Sequence, residues 1–253
     1  MQLNFQCHGV GVPVLILHGL FGSLDNWQNV SRKWGERYRV FALDLRNHGR
    51  SPHSDDFNYG VMAGDLLEFM AAQRLERAHL LGHSLGGKVA MHFALSHPAR
   101  VEKLVIVDIA PRAYPPTHVP LFEAMLSVDL GAFCERSEMD RALAARIPEV
   151  AVRQFLLKNV TRDETGAFRW KLNLPAIYRN YEQLNEPISA GRVFDGPALF
   201  IKGGNSDYVA EGDRELIARL FPRANVAIIP GAGHWVQADA PGELTKLVLN
   251  FLG

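Results

Sequence analysis

The pentapeptide Gly82-His83-Ser84-Leu85-Gly86 limits the architecture of this chain more than any other stretch. It fits G-x-S-x-G and lies between a short apolar run, residues 78–81, and a helical run, residues 87–96. A serine so placed stands on a sharp strand-to-helix turn, and the glycines two residues before and after it leave room for a strained backbone. The turn makes a weak nucleophile reachable by a base and by substrate. The expected chemistry is hydrolysis through a covalent serine intermediate.

That turn belongs to a longer alternation. Apolar runs at 3–7, 14–17, 39–43, 78–81, 103–107, 198–202 and 225–229 predict strands, and 24–34, 60–74, 85–96, 211–220 and 243–252 predict helices between them. Several strands are continuously hydrophobic, the mark of burial on both faces of a largely parallel sheet. The expectation is an α/β fold, a doubly wound, mostly parallel sheet with its chemistry at the carboxyl ends of the strands. The alternation lapses between about Pro111 and Arg192. Helical patches at 121–127, 139–145 and 150–158 stand there without a convincing sheet strand, bounded by prolines 111, 115, 116 and 120 and then by Pro187, Gly191 and Gly196. The predicted organisation is a core of residues 1–110 and 191–253 with a helical cap, 111–190, inserted after a strand end, where active-site loops emerge.

A length of 253 residues suits one large domain or one domain with an insertion, and 47% hydrophobic residues suffice for a full core. Lys+Arg and Asp+Glu both number 27, so no basic excess marks a nucleic-acid partner. Two cysteines, Cys7 and Cys134, cannot make a disulfide framework. Residues 1–11 lack the apolar stretch of a signal peptide, and the apolar runs are too short to span a bilayer. A soluble, cytoplasmic protein is expected. His79 and His83 are four apart but fall on a strand and a turn, so no metal is expected, and no cofactor.

A serine hydroxyl needs a base and an acid that orients the base. His234, in Gly231-Ala232-Gly233-His234-Trp235 beyond the last strand, is the candidate base and falls last in the order Ser…Asp…His. The oxyanion needs two donors. The Leu85 N–H, directly after the nucleophile, is one; the loop His18-Gly19-Leu20-Phe21-Gly22 supplies the second, assigned to Leu20. Two acids fit the pattern. Asp108 and Asp207 both lie between serine and histidine at strand carboxyl ends, and the residues alone do not separate them.

With these motifs and the run Asp44-Leu45-Arg46-Asn47-His48-Gly49-Arg50-Ser51, the chain resembles the α/β-hydrolase superfamily over nearly its full length. Phe21-Gly22-Ser23-Leu24-Asp25-Asn26-Trp27, Arg46-Asn47-His48-Gly49 and Gly203-Gly204-Asn205-Ser206 are most similar to the YbfF-type carboxylesterases and their animal relatives. The superfamily usually seats its acid where Asp207 stands. The YbfF-type resemblance implies Asp108 instead, with Ser206 as companion, and an acidic residue at 207 departs from that pattern. The resemblance implies a carboxylic ester hydrolase with a small-molecule ester as the partner; the modest cap suggests small to medium-chain esters, and residues 44–51 read as structural. Phe21, Tyr114, Phe122, Phe155, Tyr178 and Trp235 are the candidate substrate-binding residues, with Met125 and Trp170 as further candidate walls; Arg153, Arg162, Arg169 and Arg179 read as a solvated face. The same serine would serve a thioesterase, a C–C bond hydrolase or a perhydrolase, and a non-catalytic receptor is the alternative of a different class. Epoxide hydrolases and haloalkane dehalogenases carry aspartate at the position of Ser84, which disfavours them.

Overall fold

A computed structural model describes residues 1–188 and 191–253. The strands are β1 (Phe5–His8), β2 (Pro13–Leu17), β3 (Arg39–Leu43), β4 (Ala78–His83), β5 (Val101–Val107), β6 (Val160–Arg162), β7 (Phe168–Trp170), β8 (Ala198–Gly203) and β9 (Ala224–Ile229). Seven of them form one sheet in the order β1-β3-β2-β4-β5-β8-β9, in which β1 runs antiparallel to β3 and every other pairing is parallel. The helices are α1 (Gln28–Trp34), α2 (Tyr59–Ala72), α3 (Leu85–Ser96), α4 (Val119–Leu126), α5 (Arg136–Ala144), α6 (Val150–Leu157), α7 (Leu174–Arg179), α8 (Asp213–Leu220), α9 (Val236–Asp239) and α10 (Pro241–Leu252).

The central strands are apolar over most of their length because both faces are covered. Alternate residues point to opposite faces. Leu15, Leu17, Leu104, Ile106 and Phe200 enter a core shared with Leu66 and Phe69 of α2 and Val89 and Phe93 of α3. Val14, Ile16, Val105, Val107 and Ile201 enter a second core with Val30 and Trp34 of α1 and Leu244 and Val248 of α10. The sheet is therefore doubly wound.

Register brings the strand ends together. Leu17 pairs with Gly82, His83 with Val107, Val107 with Ile201, and Gly203 with Ile229. The residues that follow these strands, among them Gly19, Ser84, Asp108, Ser206 and His234, emerge along one edge of the sheet.

Between β5 and β8 the chain forms α4 to α7 and one element that the sequence reading lacked, an antiparallel pair of β6 and β7. Three-residue strands are too short to carry a period. Their connection is a turn in which Asp163 Oδ1 accepts from the Thr165 and Ala167 N–H groups and Gly166 takes φ +86°. The last two residues of the expected cap, 189 and 190, lie outside the described residues. Arg153 does not belong to a solvated face: it is buried on α6, with Nε 2.9 Å from Asp140 and Nη1 bonded to the Ile147 and Pro148 carbonyls.

The loop after β3 is braced from within. Asp44 accepts from the N–H groups of Leu24 and Arg50 and from Asn4 Nδ2, and Ser51 Oγ donates to the Asp44 carbonyl. Arg46 forms a two-pronged pair with Asp65 of α2, at 2.6 and 2.8 Å, with both side chains buried. Removing one partner leaves the other charge buried and uncompensated. Asp65→Ala is expected to lower the unfolding free energy by about 3–5 kcal/mol, measurable by urea denaturation as a lower midpoint with an unchanged slope. Among the described residues no helix is long and apolar enough to cross a membrane, and no cluster of ligating side chains could hold a metal ion.

Candidate active site

Ser84 occupies the turn between β4 and α3 at φ +52°, ψ −117°. A non-glycine residue in such a conformation stores on the order of 1–3 kcal/mol, sustained only where the surroundings fix it. A Cβ on Gly82 would stand 2.2 Å from the Gly86 carbonyl oxygen, and one on Gly86 would stand 2.4 Å from that of Leu17. No side chain fits either place, so the turn packs directly on β2. The Ser84 N–H donates to the Val107 carbonyl at 3.1 Å, which holds the turn to β5.

Asp108 follows β5, also in the left-handed region at φ +51°. Its carboxylate is fully buried, which requires satisfied oxygens. Oδ1 accepts the Gly203 N–H at 2.9 Å, and Oδ2 accepts from His234 Nδ1 at 2.7 Å and from the Ser206 hydroxyl. Asp207 is exposed, and among the described residues its carboxylate makes no hydrogen bond to His234. The two aspartates that the sequence left as alternatives thus differ in contact: Asp108 binds the histidine, and Asp207, exposed on the wall of a neighbouring cavity, does not.

His234 is held on three sides. Its Nδ1 meets Asp108, its ring stacks on Tyr208 at 3.8 Å between centroids, and its carbonyl accepts from His83 Nε2 at 2.8 Å. Burial pushes the His83 imidazole down to about 3, so it stays neutral and donates from Nε2. With Nδ1 committed as donor, His234 Nε2 is left as acceptor, the tautomer that a general base requires. Ser84 and His234 face one cavity, and no hydrogen bond joins them among the described residues. Such bonds are often long before substrate binds.

The loop after β2 turns back over this edge. The Gly22 N–H donates to the Gly19 carbonyl at 3.0 Å, closing a turn with Phe21 at φ +59°. A Cβ on Gly19 would lie 3.1 Å from Ser84 Cβ, so the loop reaches the serine only because residue 19 is glycine. The Leu20 N–H has no acceptor among the described residues, and Leu85, the first residue of α3, has no intrahelical one. Two side chains whose part in this was not read from the sequence fix the loop. Asn159, after α6, donates to the Phe21 carbonyl at 2.7 Å. His18, lowered to about 4 by burial, accepts the Leu45 N–H on Nε2 and donates from Nδ1 to the Gly19 carbonyl.

Two cavities of about 340 and 350 Å³ meet at Ser84, divided by Leu20, His118 and Tyr208. The first is walled by Tyr59, Lys88, Tyr114 and Tyr181. The second, beside His234, is walled by Phe21, Leu121, Val152, Phe155 and Trp235. Phe21, Tyr114, Phe155 and Trp235 therefore stand on cavity walls. Phe122 and Tyr178 do not. They stack on each other at 4.9 Å, with Phe122 fully buried, and belong to the packing among α4, α7 and Phe21. Met125 is likewise fully buried, and Trp170 lines neither cavity. Tyr59, Lys88, His118, Tyr181 and Tyr208 were absent from the sequence reading. Their only signal was position, since Lys88 lies four residues after Ser84 on one helix.

Residues 12–133 match the family model described as alpha/beta hydrolase fold. The chain is 40% identical to the sn-1-specific diacylglycerol lipase ABHD11 of Xenopus laevis, over 96% of this chain and 80% of that protein. It is 37% identical to esterase YbfF of Escherichia coli strain K12, over 95% of this chain and 92% of the relative. Among solved structures, a marine microorganism esterase superposes with a TM-score of 0.96 at 41% identity, covering 99% of both chains. The chain belongs to the α/β-hydrolase family, is of the YbfF type, and is a carboxylic ester hydrolase.

Proposed function

We propose that this α/β hydrolase cleaves small to medium-chain carboxylic esters through an acyl-enzyme on Ser84, with His234 as base, Asp108 as its orienting acid and the Leu20 and Leu85 N–H groups as the oxyanion hole. The observation that carries the reading is the chain of contacts Ser206–Asp108–His234 ending at a cavity that also holds the strained serine. His234 Nε2 takes the hydroxyl proton as Ser84 Oγ adds to the ester carbonyl. Negative charge gathers on the carbonyl oxygen, where two fixed N–H dipoles lower the barrier most. The histidine then gives its proton to the departing alkoxide. Water, deprotonated by the same nitrogen, adds to the acyl carbonyl; the returned proton frees Ser84.

The need to protonate the leaving oxygen orients the substrate. The alcohol belongs in the cavity that His234 lines, against Phe155 and Trp235, and the acyl group in the cavity beyond Leu20, against Tyr59 and Tyr114. Both volumes lie at the small end of ligand pockets, which supports short to medium chains. The residues 111–190 act as the cap that closes both. The two exposed, unpaired cysteines accord with a cytoplasmic setting.

The test is a series of esters in which acyl length and alcohol size vary separately. Phe155→Ala is expected to shift preference toward larger alcohols by roughly tenfold, at about 1–3 kcal/mol per methylene accommodated, with the acyl-length profile unchanged. Tyr178→Ala should lower stability and leave both profiles in place. An alcohol profile identical to wild type in Phe155→Ala would refute the orientation.

A further inference from the structure

We propose that Lys88 makes the acyl cavity a subsite for a carboxylate, so that the enzyme favours half-esters of short dicarboxylic acids. The inference rests on the acyl and alcohol assignment above.

Lys88 lies one helical turn beyond Ser84 on α3, 2% exposed, and walls the acyl cavity. An ammonium has three donors. Two are used: Nζ donates to the Arg112 carbonyl at 2.5 Å and to the Glu186 carbonyl at 2.9 Å. The third has no protein acceptor among the described residues. The charge lacks a partner as well. Among the described residues no carboxylate stands within ion-pair distance of Nζ: Asp213 is bound by Arg112 at 3.1 Å, Glu186 offers its carbonyl, and Asp207, which with Arg112 lines the same cavity, makes no ion pair with the lysine.

What surrounds the ammonium is aromatic. It lies 5.1 Å from the ring centre of Tyr114 and 6.0 Å from that of Tyr59. Neither hydroxyl is free to serve it: Tyr59 donates to the Leu184 carbonyl, and Tyr114 donates to that of Tyr208 while accepting the Ala110 N–H. Ring faces soften the cost of a buried cation without neutralising it. Lys88 is also the fourth residue of α3, near the end where the helix dipole opposes a positive charge. Desolvation, followed by Arg112, accordingly lowers its pKa to about 7, against a smaller opposing pull from Asp213; His92, one turn further along α3, faces Tyr59. A buried cation with a spare donor, no counterion and an open cavity before it is completed by an anion brought in with the substrate. The short span from Ser84 sets that anion a few carbons from the scissile carbonyl.

The experiment compares monomethyl succinate with methyl 4-oxopentanoate, its uncharged isostere, by kcat/KM from pH 6 to 9. The succinate carboxylate is ionised throughout, and the Ser84–His234 dependence cancels in the ratio. The expected ratio favours the half-ester by at least roughly tenfold at pH 6 and falls toward one as the pH rises through about 7 and Lys88 loses its proton. In Lys88→Met the ratio should be about one at every pH, whatever the overall rate. A ratio near one in the wild type, or a preference that neither pH nor the substitution changes, overturns the subsite. If Lys88→Met fails to fold, the wild-type pH series decides alone. A protein that hydrolyses 4-nitrophenyl acetate but shows a half-ester ratio near one sinks only this inference; no hydrolysis of any ester sinks the esterase mechanism beneath it.

Discussion

Ser84→Ala is expected to lower kcat for any ester by on the order of 10⁴-fold or more, with the urea midpoint unchanged or raised. The loss is large because, in the proposed mechanism, serine, histidine and oxyanion donors act as one unit, so deleting the nucleophile removes the covalent route altogether. The fold should not suffer, since the backbone at residue 84 is held by the Val107 carbonyl and by glycines 82 and 86 rather than by the hydroxyl. Alanine at φ +52° keeps whatever strain the serine bears. A variant within tenfold of wild type would remove Ser84 from the mechanism.

Asp108→Asn is expected to cost on the order of 10³–10⁴-fold in kcat, while Asp207→Asn should change it by less than about threefold. The difference follows from tautomers. Asp108 Oδ2 accepts from His234 Nδ1 and from Ser206, and Oδ1 accepts from Gly203. An asparagine keeps the Gly203 bond through its one oxygen and turns its amide toward the imidazole. The histidine must then carry its proton on Nε2, where it cannot accept one from Ser84. Asp207 is exposed at the cavity wall and has no such hold on the ring. The opposite ranking would reassign the acid.

Much of the fold was legible because its signals are local. Residues 39–43 and 85–96 were bounded as strand and helix where the structure has β3 and α3, and the other main-sheet strands differ by no more than two residues at either end. The continuous apolar runs in β2 and in the second half of β5 reflect two covered faces, and the sequence carries that directly. The hairpin of β6 and β7 escaped because three residues hold no period, and α7 escaped because it is six residues long and starts with Pro175 in its first turn.

The site was legible in its motifs and illegible in its directions. Ser84, His234, Asp108, Leu20 and Leu85 were named from motif and order, and the structure places them around one edge of the sheet. Asp108 and Asp207 were indistinguishable because a strand end fixes where a residue is and leaves open where its carboxylate points; the left-handed φ of Asp108 decides that. Phe122 and Phe155 have the same character in sequence, yet one is fully buried against Tyr178 and the other walls a cavity. Asn159 acts through one long-range hydrogen bond to a backbone carbonyl and Lys88 through two, which no local pattern encodes.

The central claim is that Ser84 becomes covalently acylated. Native protein treated with a fluorophosphonate and then digested tests it by peptide mass. The mechanism predicts one adduct, on the peptide carrying Ser84, formed in step with loss of ester hydrolysis and absent after prior unfolding. Active, folded protein that loses no activity under the reagent, or that carries its adduct on another residue, would contradict it.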